Sequence, residues 1–209
     1  MDSRVLFFIY FLVGMQCALQ YVLLTKNGNI MQTAIKPGDN FPEFFVKSKD
    51  NLDTPLTRTS PAAGDWQMVV VYRGVHCPKC AEYLNELNAL QEKYNNANID
   101  IVAVSGDSVG QLNRFLKEKV DDLKFEVLAG LSEDQMSELG LYISSPRNPE
   151  ETNHLFPEPC VLVINPENKL HIIDKSNAPF SRPDLEKLLN GIKFIQGNDY
   201  PIRGTYQYA

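Results

Sequence analysis

Two cysteines three residues apart, Cys77 and Cys80, end an apolar run through Val69, Val70, Val71 and Tyr72. Thiols at that spacing, at a strand-to-helix junction, can close and open a disulfide. Leu84, Leu87 and Leu90 follow at helical spacing, so a helix begins at the pair. Cys77 then sits at the helix N-terminus and Cys80 one turn in. Free backbone N–H groups and the helix dipole favour a thiolate there, the form that attacks disulfides and peroxides. Cys77, nearer those N–H groups and expected to be the more exposed, is the expected nucleophile, and Cys80 the resolving thiol. A bridge this short constrains the unfolded chain little, so a redox or metal role explains the pair better than stabilisation does.

The neighbours add charge. Lys79, between the cysteines, either tunes the redox potential or simply faces solvent. His76 either stabilises the Cys77 thiolate and relays a proton or packs the loop. Arg73 follows the apolar run; it either orients an anionic substrate and lowers a thiol pKa or satisfies loop carbonyls. Arg182 either serves the same pocket or belongs to a helix start. Cys160 reads as a buried strand thiol. A structural zinc needs more ligands than one Cys-x-x-Cys, and His76, His154 and Cys160 complete a set only if folding gathers them. Ala81 stands where c-type haem attachment needs histidine. No bound cofactor is expected.

The chain has 209 residues and a net charge of −6 with no long run of one sign, which argues against a nucleic-acid partner. Four cysteines are too few for a disulfide-stapled scaffold of this length. Residues 1–30 form a separate hydrophobic segment. Within it Val5–Leu24 has about the length that spans a bilayer. It is an anchor, a signal or an upstream extension. Translation from Met31 implies a cytoplasmic protein, and a genuine hydrophobic segment implies an anchored or exported one. A membrane contact is expected only through residues 5–24.

Residues 31–209 form the expected domain. Strands are predicted at Phe44–Lys47, Gln67–Tyr72, Ile99–Ser105, Lys124–Leu128, Cys160–Ile164 and Lys169–Asp174, the last two joined by a turn at Asn165–Asn168. Helices are predicted at Pro78–Tyr94, from Ser108 to about Val120, from Ser132 to Leu139, and at Pro183–Phe194. Ser144–Pro159 is a long irregular stretch, a length that points to function. Parallel βαβ units followed by an antiparallel hairpin imply an α/β fold with a mixed central sheet flanked by helices. A Cys-x-x-Cys opening the first helix of such a unit is the thioredoxin-like signature.

Several segments, in order, carry a closer likeness: Tyr72–Cys80, Val102–Ser105, Leu139–Arg147, Pro179–Pro183 and Tyr200–Thr205. Over roughly Ile35–Tyr206 the chain resembles the peroxiredoxin-like branch of the thioredoxin superfamily, the AhpC/TSA or redoxin group. The resemblance implies a thioredoxin fold, thiol-based redox chemistry and an antioxidant or redox-homeostasis role. It departs from typical peroxiredoxins in two places. Neither cysteine is preceded by their Pro-x-x-x-Thr-x-x pattern, since the Thr position is Cys77 or Gly74. Pro159 occupies the place of their strand arginine, and that stretch aligns better with the thioredoxin cis-proline segment, so a cis bond before Pro159 is expected.

The dithiol set is present and the peroxide-activating set is not. The sequence therefore favours a thiol–disulfide oxidoreductase working through Cys77 and Cys80, with Arg73, His76 and Pro159 in support. Its partners would be a disulfide or peroxide substrate and a thiol donor or reductase for recycling. The alternatives are a thiol-dependent peroxidase for hydrogen peroxide or organic hydroperoxides, and a redox-regulated or metal-binding interaction module.

Overall fold

The computed structural model describes residues 34–57 and 65–206. The hydrophobic segment at residues 1–30, and the boundary drawn after it, lie outside them. Among the described residues no helix is long and apolar enough to cross a membrane.

The centre of the fold is a strand buried on both faces. In β3 (Trp66–Val71) all six side chains are buried, as expected of a parallel-sheet interior strand. It pairs in parallel with β4 (Ile99–Val104) and antiparallel with β8 (Cys160–Ile164). β5 (Glu126–Leu128) and β9 (Leu170–Lys175) complete the order β5-β4-β3-β8-β9. The sheet is thus mixed, parallel on one side and antiparallel on the other. Two strand pairs lie outside it: β1 (Phe45–Lys47) with β2 (Asp53–Pro55), and β6 (Ile143–Ser144) with β7 (Phe156–Pro157).

Side chains alternate across β3. Trp66, Met68 and Val70 join one core cluster, and Val69 and Val71 the other. The first face is covered by α1 (Pro78–Asn95), α2 (Val109–Glu118) and α4 (Leu185–Asn198), through Leu84, Leu87, Leu112, Phe115, Leu189 and Ile192. The second is covered by α3 (Glu133–Glu138), through Met136, and by Phe41, Phe44, Val46 and Leu56. Helices therefore flank both faces.

The helix starts follow their local chemistry. Ser108 and Ser132 each accept the N–H of the glutamine three residues on, and that glutamine reaches back to the serine N–H, a closed capping box at both sites. The last helix begins at Leu185 under an Asp184 cap, two residues later than Pro183. It runs past Phe194 to Asn198, where Asp199 turns left-handed (φ 46°). Strand β2 and the β6–β7 pair were not anticipated; they are two or three residues long and contain proline.

Leu87 is fully buried beneath α1. Leu87→Ala is expected to destabilise the protein by about 2–5 kcal/mol in urea titration.

Candidate active site

Cys77 is the N-cap of α1, and Pro78 fills the first helical position, where no N–H is needed. The Cys77 sulfur accepts the backbone N–H of Cys80 at 3.2 Å. A thiolate at this position meets a free helical N–H and the positive end of the helix dipole. The two cysteines are joined as a disulfide, with Cα atoms 5.3 Å apart. Both are buried: Cys77 is 2 % exposed and Cys80 0 %. The markedly greater exposure expected of Cys77 is therefore absent in this oxidised state, where both cysteines belong to the core cluster that also holds Val75.

Arg182 is the charge that meets the pair. Its Nη2 donates to Cys80 Sγ at 3.0 Å, across 102 residues of sequence. Nη1 donates to the Pro179 carbonyl, and the guanidinium lies 5.3 Å from the centre of the Tyr83 ring. Two phenols of α1 hold the segment in place. Tyr83 donates to the Pro183 carbonyl at 3.0 Å, and Tyr94 to that of Leu185 at 2.8 Å. Burial, first of all, raises both phenol pKa values, so both stay neutral donors. The sequence alone offers helix-start geometry as an equal explanation for Arg182. Only the fold brings it to the sulfur.

Arg73 is placed differently. Its Nε lies 3.2 Å from Glu158 and its Nη2 3.6 Å from Glu151, both ion pairs rather than aligned hydrogen bonds. Its guanidinium also covers the Phe156 ring at 4.7 Å. The partners are carboxylates, so neither the substrate-anchoring role nor the loop-carbonyl alternative is what the geometry displays. Lys79 pairs with Glu82 at 2.7 Å on the half-exposed helix surface. That geometry is the solvent-facing one.

His76 packs on Phe156, ring centres 4.6 Å apart, and neither ring nitrogen has a hydrogen-bond partner. Burial, and then the Arg73 charge, lower its pKa. It is neutral near pH 7, available as a base but not as a cation for the Cys77 sulfur. Pro159 lines a cavity of about 10 Å³ with Cys80, Tyr83 and Arg182, room for one water-sized molecule. No described peptide bond is cis, so the bond before Pro159 is trans. Trans is the intrinsic preference of X–Pro by about 0.5–1 kcal/mol.

Cys160 packs with Val71 and Leu162 in the second core cluster. Burial, above all, pushes its thiol up to about 12, which keeps it protonated and unreactive. Among the described residues no cluster of three or more His, Cys, Asp or Glu side chains is placed to hold a metal.

One residue at the site was missed by sequence reasoning. Asp107, just beyond β4, is fully buried, and its Oδ2 accepts the Val75 N–H at 2.8 Å, two residues before Cys77. Gly74 permits this approach. Its φ of +129° lies in the glycine region, and a Cβ there would come within 2.6 Å of Asp107 Oδ1. The available signal was the glycine inside the Arg73–Cys77 turn, which asks for a close neighbour.

The sequence model of the AhpC/TSA family matches residues 37–173. No protein with a curated description matches the chain. Solved structures do. A mutant peroxiredoxin 6 of Arenicola marina is 17 % identical, with 83 % of this chain and 80 % of that one aligned at a TM-score of 0.67. A peroxiredoxin-like protein from Aquifex aeolicus is also 17 % identical, over 79 % and 90 %, at 0.63. Mycobacterium bovis AhpC is 14 % identical, over 84 % and 99 %, at 0.62. At such identities the likeness is one of fold, and the fold is the thioredoxin-like one.

Gly74→Ala is expected to cost more than about 1 kcal/mol from backbone strain and the Asp107 clash. It should also slow closure of the Cys77–Cys80 bond after reduction, which mass spectrometry of alkylated samples would follow.

Proposed function

We propose, since the chain belongs to the AhpC/TSA family and is an oxidoreductase, that it is a dithiol–disulfide oxidoreductase whose working couple is Cys77 and Cys80. The observation that carries this reading is the pair itself. Two sulfurs close on each other at the N-cap and first turn of one helix, with a helical N–H on one and a guanidinium on the other.

In the reduced protein the Cys77 thiolate attacks one sulfur of a substrate disulfide. A mixed disulfide forms, and the first substrate thiolate leaves and takes up a proton. Cys80 then attacks the Cys77 sulfur, closing the intramolecular bond and expelling the second substrate thiolate. The substrate gains two electrons and the protein loses two. A thiol donor or a partner reductase returns them by the same exchange in reverse. Arg182 has a defined part: its charge beside Cys80 favours the thiolate that the resolving step requires.

The same contact favours a second reading, peroxide reduction. The cavity beside Cys80 and Arg182 admits something of about the size of water, and both sulfurs are buried from larger molecules. Here the Cys80 thiolate attacks a hydroperoxide oxygen, the O–O bond breaks, and water or an alcohol leaves. The Cys80 sulfenic acid condenses with the Cys77 thiol, releasing water and closing the disulfide. In either reading the cellular role is antioxidant or redox homeostasis, with a thiol donor as the recycling partner.

Insulin-disulfide and hydrogen peroxide reduction, measured side by side, separate the two. The disulfide reading expects insulin turnover that is abolished by Cys77→Ser, with slow peroxide consumption. Fast peroxide consumption that survives in single turnover in Cys77→Ser but not in Cys80→Ser would replace it with the second. Arg182→Met removes a charge-assisted hydrogen bond to sulfur, and the step using the Cys80 thiolate is expected to slow roughly tenfold or more.

A further inference from the structure

The buried carboxylate behind the disulfide has a partner that the proposed chemistry does not use. Asp107 Oδ2 holds the Val75 N–H, while Oδ1, buried and without an aligned hydrogen bond, lies 3.3 Å from His154 Nε2. The other ring nitrogen of His154, Nδ1, lies 2.7 Å from the Leu155 carbonyl oxygen. A carboxylate and a carbonyl both accept and neither donates, so the doubly protonated imidazolium is the form suited to both neighbours, through a hydrogen bond to Leu155 and an ion pair with Asp107. His154 thereby supplies the positive charge that a fully desolvated carboxylate requires.

We propose that Asp107 and His154 form a charge-locked latch on the Arg73–Cys77 loop, and that the proton on His154 gates redox exchange at the Cys77–Cys80 disulfide. Both are positioning residues. Asp107 acts through the Val75 N–H and the surface of Gly74, and His154 acts through Asp107. The inference rests on the reading of Cys77–Cys80 as the working couple.

When His154 loses its proton, one contact must fail. If the remaining hydrogen stays on Nδ1 for Leu155, a lone pair on Nε2 faces Asp107 Oδ1. The carboxylate is then buried without a counter-charge and faces that lone pair, so it must shift or take up a proton, and its hold on the Val75 N–H through Oδ2 weakens. The other titratable groups around it are accounted for. Tyr72, whose phenol interacts with Asp107, has its pKa raised, by burial first of all, and stays neutral. Arg73 is occupied by Glu151 and Glu158, and Arg147 pairs with Glu151. Arg114 and Glu150 line the open cleft beside His154. His76 stands nearby with a lowered pKa and carries no charge near neutrality.

The direction of the pH effect follows. The Asp107 contact, foremost, raises the His154 pKa above its ordinary value, against the opposing effect of burial. The latch is complete below about pH 6.5 and opens as pH rises through the raised value in the folded protein. Opening frees the loop that leads into Cys77 and carries Val75, a member of the core cluster that holds both cysteines, so reduction by an external thiol should quicken.

The test needs no physiological substrate, so its outcome is separable from that of the proposed function. The rate at which dithiothreitol reduces the disulfide is measured from about pH 5.5 to about pH 8.5 in the full chain and in His154→Gln. Glutamine keeps an N–H for Asp107 and does not titrate. Dividing the two rates cancels the reductant's own pH dependence. The expected ratio rises several-fold in one step, with its midpoint at the His154 pKa read by NMR. Asp107→Asn should lower that pKa; should either variant fail to fold, the NMR titration of the unmodified protein decides. A flat ratio, a midpoint away from the His154 titration, or a His154 pKa at or below the ordinary value would overturn the proposal.

Discussion

A carboxylate removed from water must meet a donor or a positive charge, and the architecture around the disulfide is organised by that requirement. Asp107, Glu151 and Glu158 all have buried side chains. Asp107 takes the Val75 N–H and His154; Glu158 takes Arg73 and the Ser144 hydroxyl, the latter at 2.6 Å; Glu151 takes Arg147 and Arg73. The backbone N–H of Arg147, first of all, holds the Glu151 carboxyl below the usual carboxylate range. These pairs tie the stretch between β6 and β8 to the loop that carries Cys77. An unpaired member would cost several kcal/mol, so the segments are positioned together or not at all.

The two sulfurs are served by different mechanisms. Cys77 depends on the geometry of its own helix, where its sulfur receives an N–H three residues on. Cys80 depends on tertiary structure, through an arginine held by two tyrosines that reach back from α1. A single helix thus presents one sulfur and builds the support for the charge beside the other. Arg73 and Pro159 serve differently from what their sequence positions suggest. The arginine closes an ion cluster, and the proline, preceded by a trans bond, lines the small cavity next to Cys80.

Features written in consecutive residues were legible. The apolar run of β3 through Val69–Val71, the Ser108 cap of α2, the Ser-x-x-Gln box opening α3, and the cysteine spacing at the start of α1 each depend on neighbours within one turn or one strand. Strand β8 was placed at its observed limits. What stayed illegible depends on distant partners. The Asp107–Val75 contact crosses 32 residues and the Arg182–Cys80 contact 102. Neither has a local pattern, since an aspartate after a strand or an arginine before a helix is ordinary. Strand β2 and the β6–β7 pair were too short for alternation to be visible. The length of the Ser144–Pro159 stretch set it apart, although it did not disclose that the stretch would supply Glu151, His154 and Glu158 to the contacts of Arg73 and Asp107.

The tyrosine-held placement of Arg182 has a consequence for the order in which the protein becomes chemically competent. Translation delivers the cysteine pair about a hundred residues before the arginine. Until α4 docks and its leading segment is gripped by Tyr83 and Tyr94, no guanidinium is held beside the Cys80 sulfur. A nascent or partly unfolded chain therefore carries that sulfur without its charged neighbour. The contact forms only with completion of the fold, so maturation of the chain and the placing of a charge at that sulfur are a single event.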